Sequence, residues 1–282
     1  MTMKNIILIL VWLVCPIAAL AYEPVDTLTD EDPYFLLMGE ADRAIADENW
    51  PEAAARLNDA LGVRPTHPSN SLLLTNLATV YTYQGLDSLA LDAYDRALDI
   101  APSMVIAMLG KGRLLLRHNR DYEAYETFGN AIATDSLNCD ARYYHGMMAL
   151  YGGNMSVAES DFAVLRTMAP DAVDTALAMS SLYSLTGRDR DAVPYYQRLV
   201  ELEPSPEYYA ALAGCYLQLG KLTEASETLG QAFEKYPSDP ELYYYRAWLN
   251  RDRYRLDDAH EDARRAVELG ANRAKVQSLF GK

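Results

Sequence analysis

Long apolar stretches are scarce in this chain: one unbroken run, Ile6-Ile7-Leu8-Ile9-Leu10-Val11-Trp12-Leu13-Val14, covers nine residues. At about 1.5 Å per residue, such a run cannot cross a hydrocarbon core of about 30 Å, so a membrane anchor is not expected. Cysteine is nearly missing, with 3 in 282 residues, which excludes a disulfide-stapled miniature fold. Cations are also short: 25 Lys plus Arg face 40 Asp plus Glu, giving a net charge of −15. A surface this acidic repels phosphate backbones, so nucleic acid is not an expected partner. Phenylalanine is rare (5) while tyrosine is abundant (21). What is present is core material: 50% of residues are apolar and 23% charged, the composition of a globular protein and not of a disordered tail.

The first residues read as an address label. Lys4, the apolar run, the helix-breaking Pro16 and the small-x-small site Ala19-Leu20-Ala21 make a signal peptide over 1–21, cleaved after Ala21. The mature protein is then exported, with the periplasm as its expected location and no membrane span. A competing reading acylates Cys15 as a lipoprotein, against which stand the bulky Val14 before it and Pro16 after it. Residues 22–33, rich in Asp, Glu, Pro and Thr, form an acidic flexible lead-in. The mature cysteines, Cys139 and Cys215, lie two repeat units apart in the register below. A disulfide needs Cα atoms within about 7 Å, so two buried free thiols are expected.

The body of the chain repeats itself. Leu74, Leu77, Ala78 and Tyr81 fall on one helical face, Gly85 interrupts, and Ala90, Tyr94, Ala97 and Leu98 mark a second amphipathic helix stopped at Pro102. This helix–turn–helix unit returns. Ala53, Ala90, Ala124, Ala158, Ala192, Ala225 and Ala259 hold one place in the second helices, at spacings of 37, 34, 34, 34, 33 and 34. Ala41, Ala78, Gly112, Gly146, Ser180, Ala213 and Ala247 hold the matching place in the first. Small residues at both places let the two helices cross closely, and larger ones such as Tyr81, Leu115, Tyr183, Tyr216, Phe128 and Phe162 fill the spaces between.

These residues resemble the tetratricopeptide repeat family, with seven consecutive units over 34–65, 71–102, 105–138, 139–170, 173–204, 206–237 and 240–271. The resemblance implies an all-α, right-handed superhelical solenoid, one domain over 34–271, with 272–282 as a capping helix in which Val276, Leu279 and Phe280 cover the final hairpin. Pro65, Pro102, Pro170, Pro204 and Pro237 close units as the family does, while Ser136 and Ala271 depart from it. The end units are atypical, with Glu40 in the first and polar residues around Asn250 in the last, as ends facing water require. Extra residues around Thr66–Ser69 are expected to loosen the first junction.

Convergent catalytic groups are not found, so an enzyme is not expected. Gly110-Lys111-Gly112 lacks the run of a phosphate-binding loop and falls where a tight hairpin wants small residues. Asp257, His260 and Glu261 could share a helix face as a metal corner, but alternating charges around them read as a solvated face. His67, His118 and His145 have no nucleophile or carboxylate at recognisable spacing. No cofactor or metal is therefore expected.

Binding is the better lead. The family resemblance implies that first helices line the concave side of the superhelix. The residues this places there include Thr79 and Tyr83 in the second unit, Arg113 and Arg117 in the third, Tyr143, Met147 and Tyr151 in the fourth, and Tyr244 and Trp248 in the seventh. One stretch opposes the overall charge: no acidic residue lies between Asp99 and Asp121, yet Lys111, Arg113, Arg117 and Arg120 do. Arg113 and Arg117, at i and i+4, share a helix face. The expected function is a non-enzymatic exported scaffold, serving cell-envelope assembly or maintenance. Its two arginines take a carboxylate, and its aromatic row takes apolar side chains of a protein or peptide segment. The alternatives are a solvated arginine face with tyrosines packed between repeats, and a glycan-binding accessory protein stacking sugars on Tyr143 and Trp248. The chaperone-tail clamp of some family members is absent: Met38, Asp42, Ile106 and Gly110 stand at its places, and only Asn76 matches. Asp26-Thr27-Leu28, Asp87-Ser88-Leu89, Asp135-Ser136-Leu137 and Asp174-Thr175-Ala176 resemble the O-glycosylation acceptor of exported Bacteroidetes proteins, or else cap helices. Oligomeric state is left open.

Overall fold

Helix starts and stops are written locally. Asp32, Asn138, Ser205 and Asp239 each accept a backbone N–H through the side chain at the start of a first helix, and Asn49 and Asn154 do so for second helices. Pro33, Pro51, Pro206 and Pro240 sit in first turns, where no helical N–H bond is lost. The computed structural model describes residues 32–281, so the expected signal peptide, Cys15 and Thr27 lie outside the described residues. Fifteen α-helices follow in order: α1 Pro33–Ala46, α2 Trp50–Val63, α3 Asn70–Tyr83, α4 Asp87–Ile100, α5 Val105–Arg117, α6 Asp121–Thr134, α7 Cys139–Tyr151, α8 Met155–Met168, α9 Val173–Leu185, α10 Asp189–Leu202, α11 Pro206–Gln218, α12 Leu222–Lys235, α13 Pro240–Asp252, α14 Leu256–Glu268 and α15 Arg273–Gln277, with a closing 3-10 turn at Ser278–Phe280. No strand occurs among the described residues.

The chain divides into two compact units at Gly152 and Gly153, inside the fourth expected repeat. The first unit holds the hairpins α1–α2, α3–α4 and α5–α6 and then α7. The second holds α8, the hairpins α9–α10, α11–α12 and α13–α14, and the terminal α15. Within the units each hairpin packs on the next, second helix against following first helix, and first helices also meet directly, α3 with α5 and α11 with α13.

All seven repeat-defining alanines, from Ala53 to Ala259, are 0% exposed. At Gly112 an added Cβ would stand 2.6 Å from the Phe128 ring, which is itself fully buried. The hairpin turn needs a left-handed residue: Gly85 (φ 72°) supplies it in the second repeat, while Glu48 (54°), Asn119 (56°) and Tyr254 (60°) do so without glycine's freedom.

The junction around Thr66–Ser69 is tied down, not loosened. Tyr34 donates its hydroxyl to Asn70 Oδ1 (2.9 Å), and Asn70 Nδ2 donates to the Arg64 carbonyl (2.7 Å). Arg64 pairs with Asp32 and lies over the Tyr34 and Phe35 rings, and the His67 ring packs 4.9 Å from Tyr34. The additional residues fold into a polar latch because they bring Asn70 and His67 back over the first helix.

The last hairpin keeps its polar residues by bonding them to one another. Asp262, with 7% of its side chain exposed, accepts two hydrogen bonds from Arg246 and one from Asn250. The Arg246 guanidinium lies 4.3 Å from the Phe233 ring centroid. A polar cavity of about 520 Å³ opens above this network between α13 and α14. Val276 and Leu279 are buried with Tyr244, Ala247, Ala263 and Ala266, and the Phe280 ring stacks on His260 at 4.2 Å.

Neither described cysteine is in a disulfide. Cys139 is half-buried, which corrects the expectation that both are buried, because it sits at the exposed start of α7; Cys215 is buried in α11. Burial, then the neighbouring Asp189 carboxylate, pushes the Cys215 thiol up to about 12.

Candidate partner-binding face

In the first unit, α3 and α5 lie side by side and bring Thr79, Thr82, Arg113 and Arg117 around one buried phenol, that of Tyr94 from α4. Gly110 makes this possible, since a Cβ there would lie 2.4 Å from the Tyr94 hydroxyl oxygen. The tyrosine threads past the α5 backbone to that position. Thr79 Oγ1 lies 3.0 Å from the Thr75 carbonyl, to which it donates, and 3.3 Å from the Tyr94 hydroxyl, a contact in which either oxygen can be the donor. Burial raises the Tyr94 phenol above its usual value. The Thr79 bond and the Arg113 charge, followed by Thr82 and Arg117, pull it back down.

The basic stretch is mostly compensated. Lys111 Nζ pairs with Asp95 at 2.5 Å, Arg120 makes two hydrogen bonds to Glu123, and Arg117 pairs with Asp87. Asp87 also bonds His118 Nε2 at 2.6 Å. Arg113 is half-buried and has no carboxylate partner among the described residues. The expected two-armed cradle is therefore corrected to one free arm, because Asp87 at the start of α4 holds the other. Tyr83 is 52% exposed and stacks face to face on Trp50, 4.5 Å between centroids. Trp50 was not among the expected residues; its place just after the hairpin turn, beside the end of the next first helix, is the signal that could have found it.

The aromatic row is largely core. Tyr143 is 1% exposed, Met147 7% and Tyr244 7%, so none presents a face to a partner, while Tyr151 is half-buried. In the second unit the reason is visible. Lys275 of α15 lies 4.3 Å over the Tyr244 ring and bonds Glu241, and Arg251 bonds the Leu279 carbonyl at 2.8 Å. The terminal helix thus takes up the side of α13 that a further repeat would meet. Trp248 is half-buried, stacked on Tyr245 and donating its indole N–H to Asp252 at 2.8 Å. Of the acceptor-like motifs, Ser88 and Ser136 are exposed, but Thr175 is 1% exposed and bonds the Ala169 carbonyl, which removes it as a modification site.

Among the described residues no group of three His, Cys, Asp or Glu could hold a metal ion, and no helix is long and apolar enough to cross a membrane.

Three tetratricopeptide repeat models match the chain, over residues 38–105, 173–206 and 191–249. The chain belongs to the tetratricopeptide repeat family. Among curated proteins it is 27% identical over 175 residues to human DnaJ homolog subfamily C member 7, and the match takes in 62% of this chain but 32% of that protein. The chain thus matches about a third of the length of the curated relatives, the mouse counterpart included. Among solved structures, a tetratricopeptide repeat protein from Parabacteroides merdae aligns over 88% of this chain and 97% of its own, at 21% identity and a TM-score of 0.63. PilF of Pseudomonas aeruginosa aligns over 76% and 97%, at 18% identity and a TM-score of 0.65. PilW, a type IV pilus biogenesis factor, aligns over 74% and 96%, at 22% and 0.62. At these identities the likeness is one of fold.

Proposed function

We propose that this tetratricopeptide protein is a non-enzymatic, exported scaffold of the cell envelope that holds a protein or peptide segment against the first-helix face of its first unit. The observation that carries this reading is Arg113. In a chain with 15 more acidic than basic side chains, this half-buried arginine stands without a carboxylate among the described residues, while its three neighbouring cations have theirs. Tyr83, exposed and stacked on Trp50, adds a rigid aromatic surface to the same unit. The fold likeness to PilW, a pilus biogenesis factor, supports an envelope role. The glycan-binding alternative loses support, since Tyr143 is buried and the Trp248 indole N–H is already bonded within α13.

A photo-crosslinking amino acid placed at Thr79 or Tyr83 of the full-length protein, in intact cells, tests the reading. Discrete protein adducts are expected from both positions and not from Arg96, which is exposed on α4 with 53% of its side chain accessible. Equal adducts from Arg96, or none from any site, overturn it.

A further inference from the structure

We infer that Arg113 and the Tyr94 phenol form a built seat for a single carboxylate, carried by the segment that the first unit binds. The inference deepens the scaffold reading and rests on it for the identity of the ligand's carrier.

The seat is set by packing on three sides. Tyr94 is 4% exposed, and its ring is fixed against α5 because Gly110 carries no side chain. Its hydroxyl emerges beside Thr79, and Arg113 lies one turn beyond Gly110 on the same helix. Arg113 thus shares a face of α5 with the position that admits the phenol, and no acid pairs with it among the described residues. A planar carboxylate is the group that this fork accepts with two parallel N–H···O bonds, and partial burial raises the value of each. Arg117 is a poor second arm, since binding there must first displace Asp87, which also holds His118. The chain's own net charge of −15 weakens the approach of multiply charged anions. A lone carboxylate on an otherwise neutral segment fits best.

A carboxylate can come from a chain terminus or from an Asp or Glu side chain, and the experiment separates the two. In 15N-labelled full-length protein, the Arg113 Nε–Hε resonance is assigned by its loss in Arg113→Lys. It is then titrated with sodium acetate against sodium chloride at equal ionic strength. A saturable shift with acetate alone is expected, weakened about threefold in Tyr94→Phe, which keeps the buried ring. A chloride-like, non-saturating response overturns the seat. Three tetrapeptides follow: acetyl-Ala-Leu-Ala-Leu with a free carboxyl terminus, its amide, and the amide with Asp at the third position. Tighter binding by the first assigns a terminal carboxylate, tighter binding by the third a side-chain one, and equal binding by all three overturns the inference. Crosslinks at Thr79 and Tyr83 that persist unchanged in Arg113→Gln leave the scaffold and remove the seat. Acetate binding without any crosslink does the reverse.

Discussion

Gly112→Ala tests the close crossing of α5 and α6, and its size can be worked out from the packing. Alanine should by itself favour a helix interior over glycine by about 1 kcal/mol. Here, however, the new methyl carbon would lie 2.6 Å, 2.7 Å and 3.1 Å from three atoms of the Phe128 ring. That ring is 0% exposed and stacked on Tyr144 at 5.0 Å, so it has no free volume into which to retreat. Overpacking of a close-packed core costs about 1–3 kcal/mol, and removing the contact requires the helices to part by most of an ångström. A net loss of about 1–2 kcal/mol is expected. Gly39→Ala in α1 is the matched control within the same unit, since nothing lies within 4 Å of its added carbon. It should gain about 0.5–1 kcal/mol. Urea unfolding followed by far-UV circular dichroism reads both through the midpoint, provided the slope is unchanged. Trimming the ring with Phe128→Leu should make Gly112→Ala far less harmful, and the double-mutant cycle isolates that coupling. Equal gains from Gly112→Ala and Gly39→Ala would refute the crossing argument outright.

Tyr254→Gly should stabilise the last hairpin by about 0.5–1 kcal/mol, because a 91%-exposed tyrosine holds φ 60° with no compensating burial; a lower thermal midpoint would contradict this. Asn70→Ala should cost about 1–3 kcal/mol by removing the two bonds of the first-junction latch, read by denaturant midpoint, and a neutral result would return that junction to the loose state expected from sequence. In peptide mapping after brief alkylation at pH 8, Cys139 should be modified and Cys215 spared until the protein is unfolded. With its thiol pushed up to about 12, Cys215 stays protonated well above the assay pH, so raising the pH to 9 should not expose it.

Most of the fold was legible because its determinants are local and repeated. The small residues at Ala53, Ala90 and their counterparts report a helix crossing that recurs every 34 residues or so, and the structure buries each of them completely. The binding face was legible only in part. A tyrosine on a first helix reads the same whether it is exposed, as Tyr83 is, or lies in the core, as Tyr143 does. What separates them is the neighbouring element, and for Tyr244 that element is a terminal helix whose Lys275 comes from 31 residues further on. The latch at Asn70 escaped for the same kind of reason: extra residues in a repeat look like slack until the partners Tyr34 and Arg64 are placed beside them.

The pairing of the cations nevertheless follows a rule that the repeat itself supplies. Several ion pairs fall close to one repeat length apart: 30 residues for Asp87 and Arg117, 32 for Asp32 and Arg64, 34 for Glu241 and Lys275. Pairs between the facing helices recur at 16, in Glu40 with Arg56, Asp95 with Lys111, and Arg246 with Asp262. Both separations are geometric, since one step along the stack, or one crossing between consecutive helices within a hairpin or from one hairpin to the next, brings the same faces together. Applied to Arg113, the rule searches residues 79–83 and 143–147 and positions 97 and 129, and it meets Thr, Val, Tyr, His, Gly, Met and Ala but no acid. Among the described residues Arg113 is thus left without an acid at either spacing. A side-chain rearrangement at these spacings does not bring it a carboxylate. Placing one there, with Thr79→Asp at a half-buried position, should therefore occupy Arg113 internally and abolish the acetate-dependent shift while leaving the fold intact. A shift that survives this substitution would show that the periodic rule does not govern this arginine.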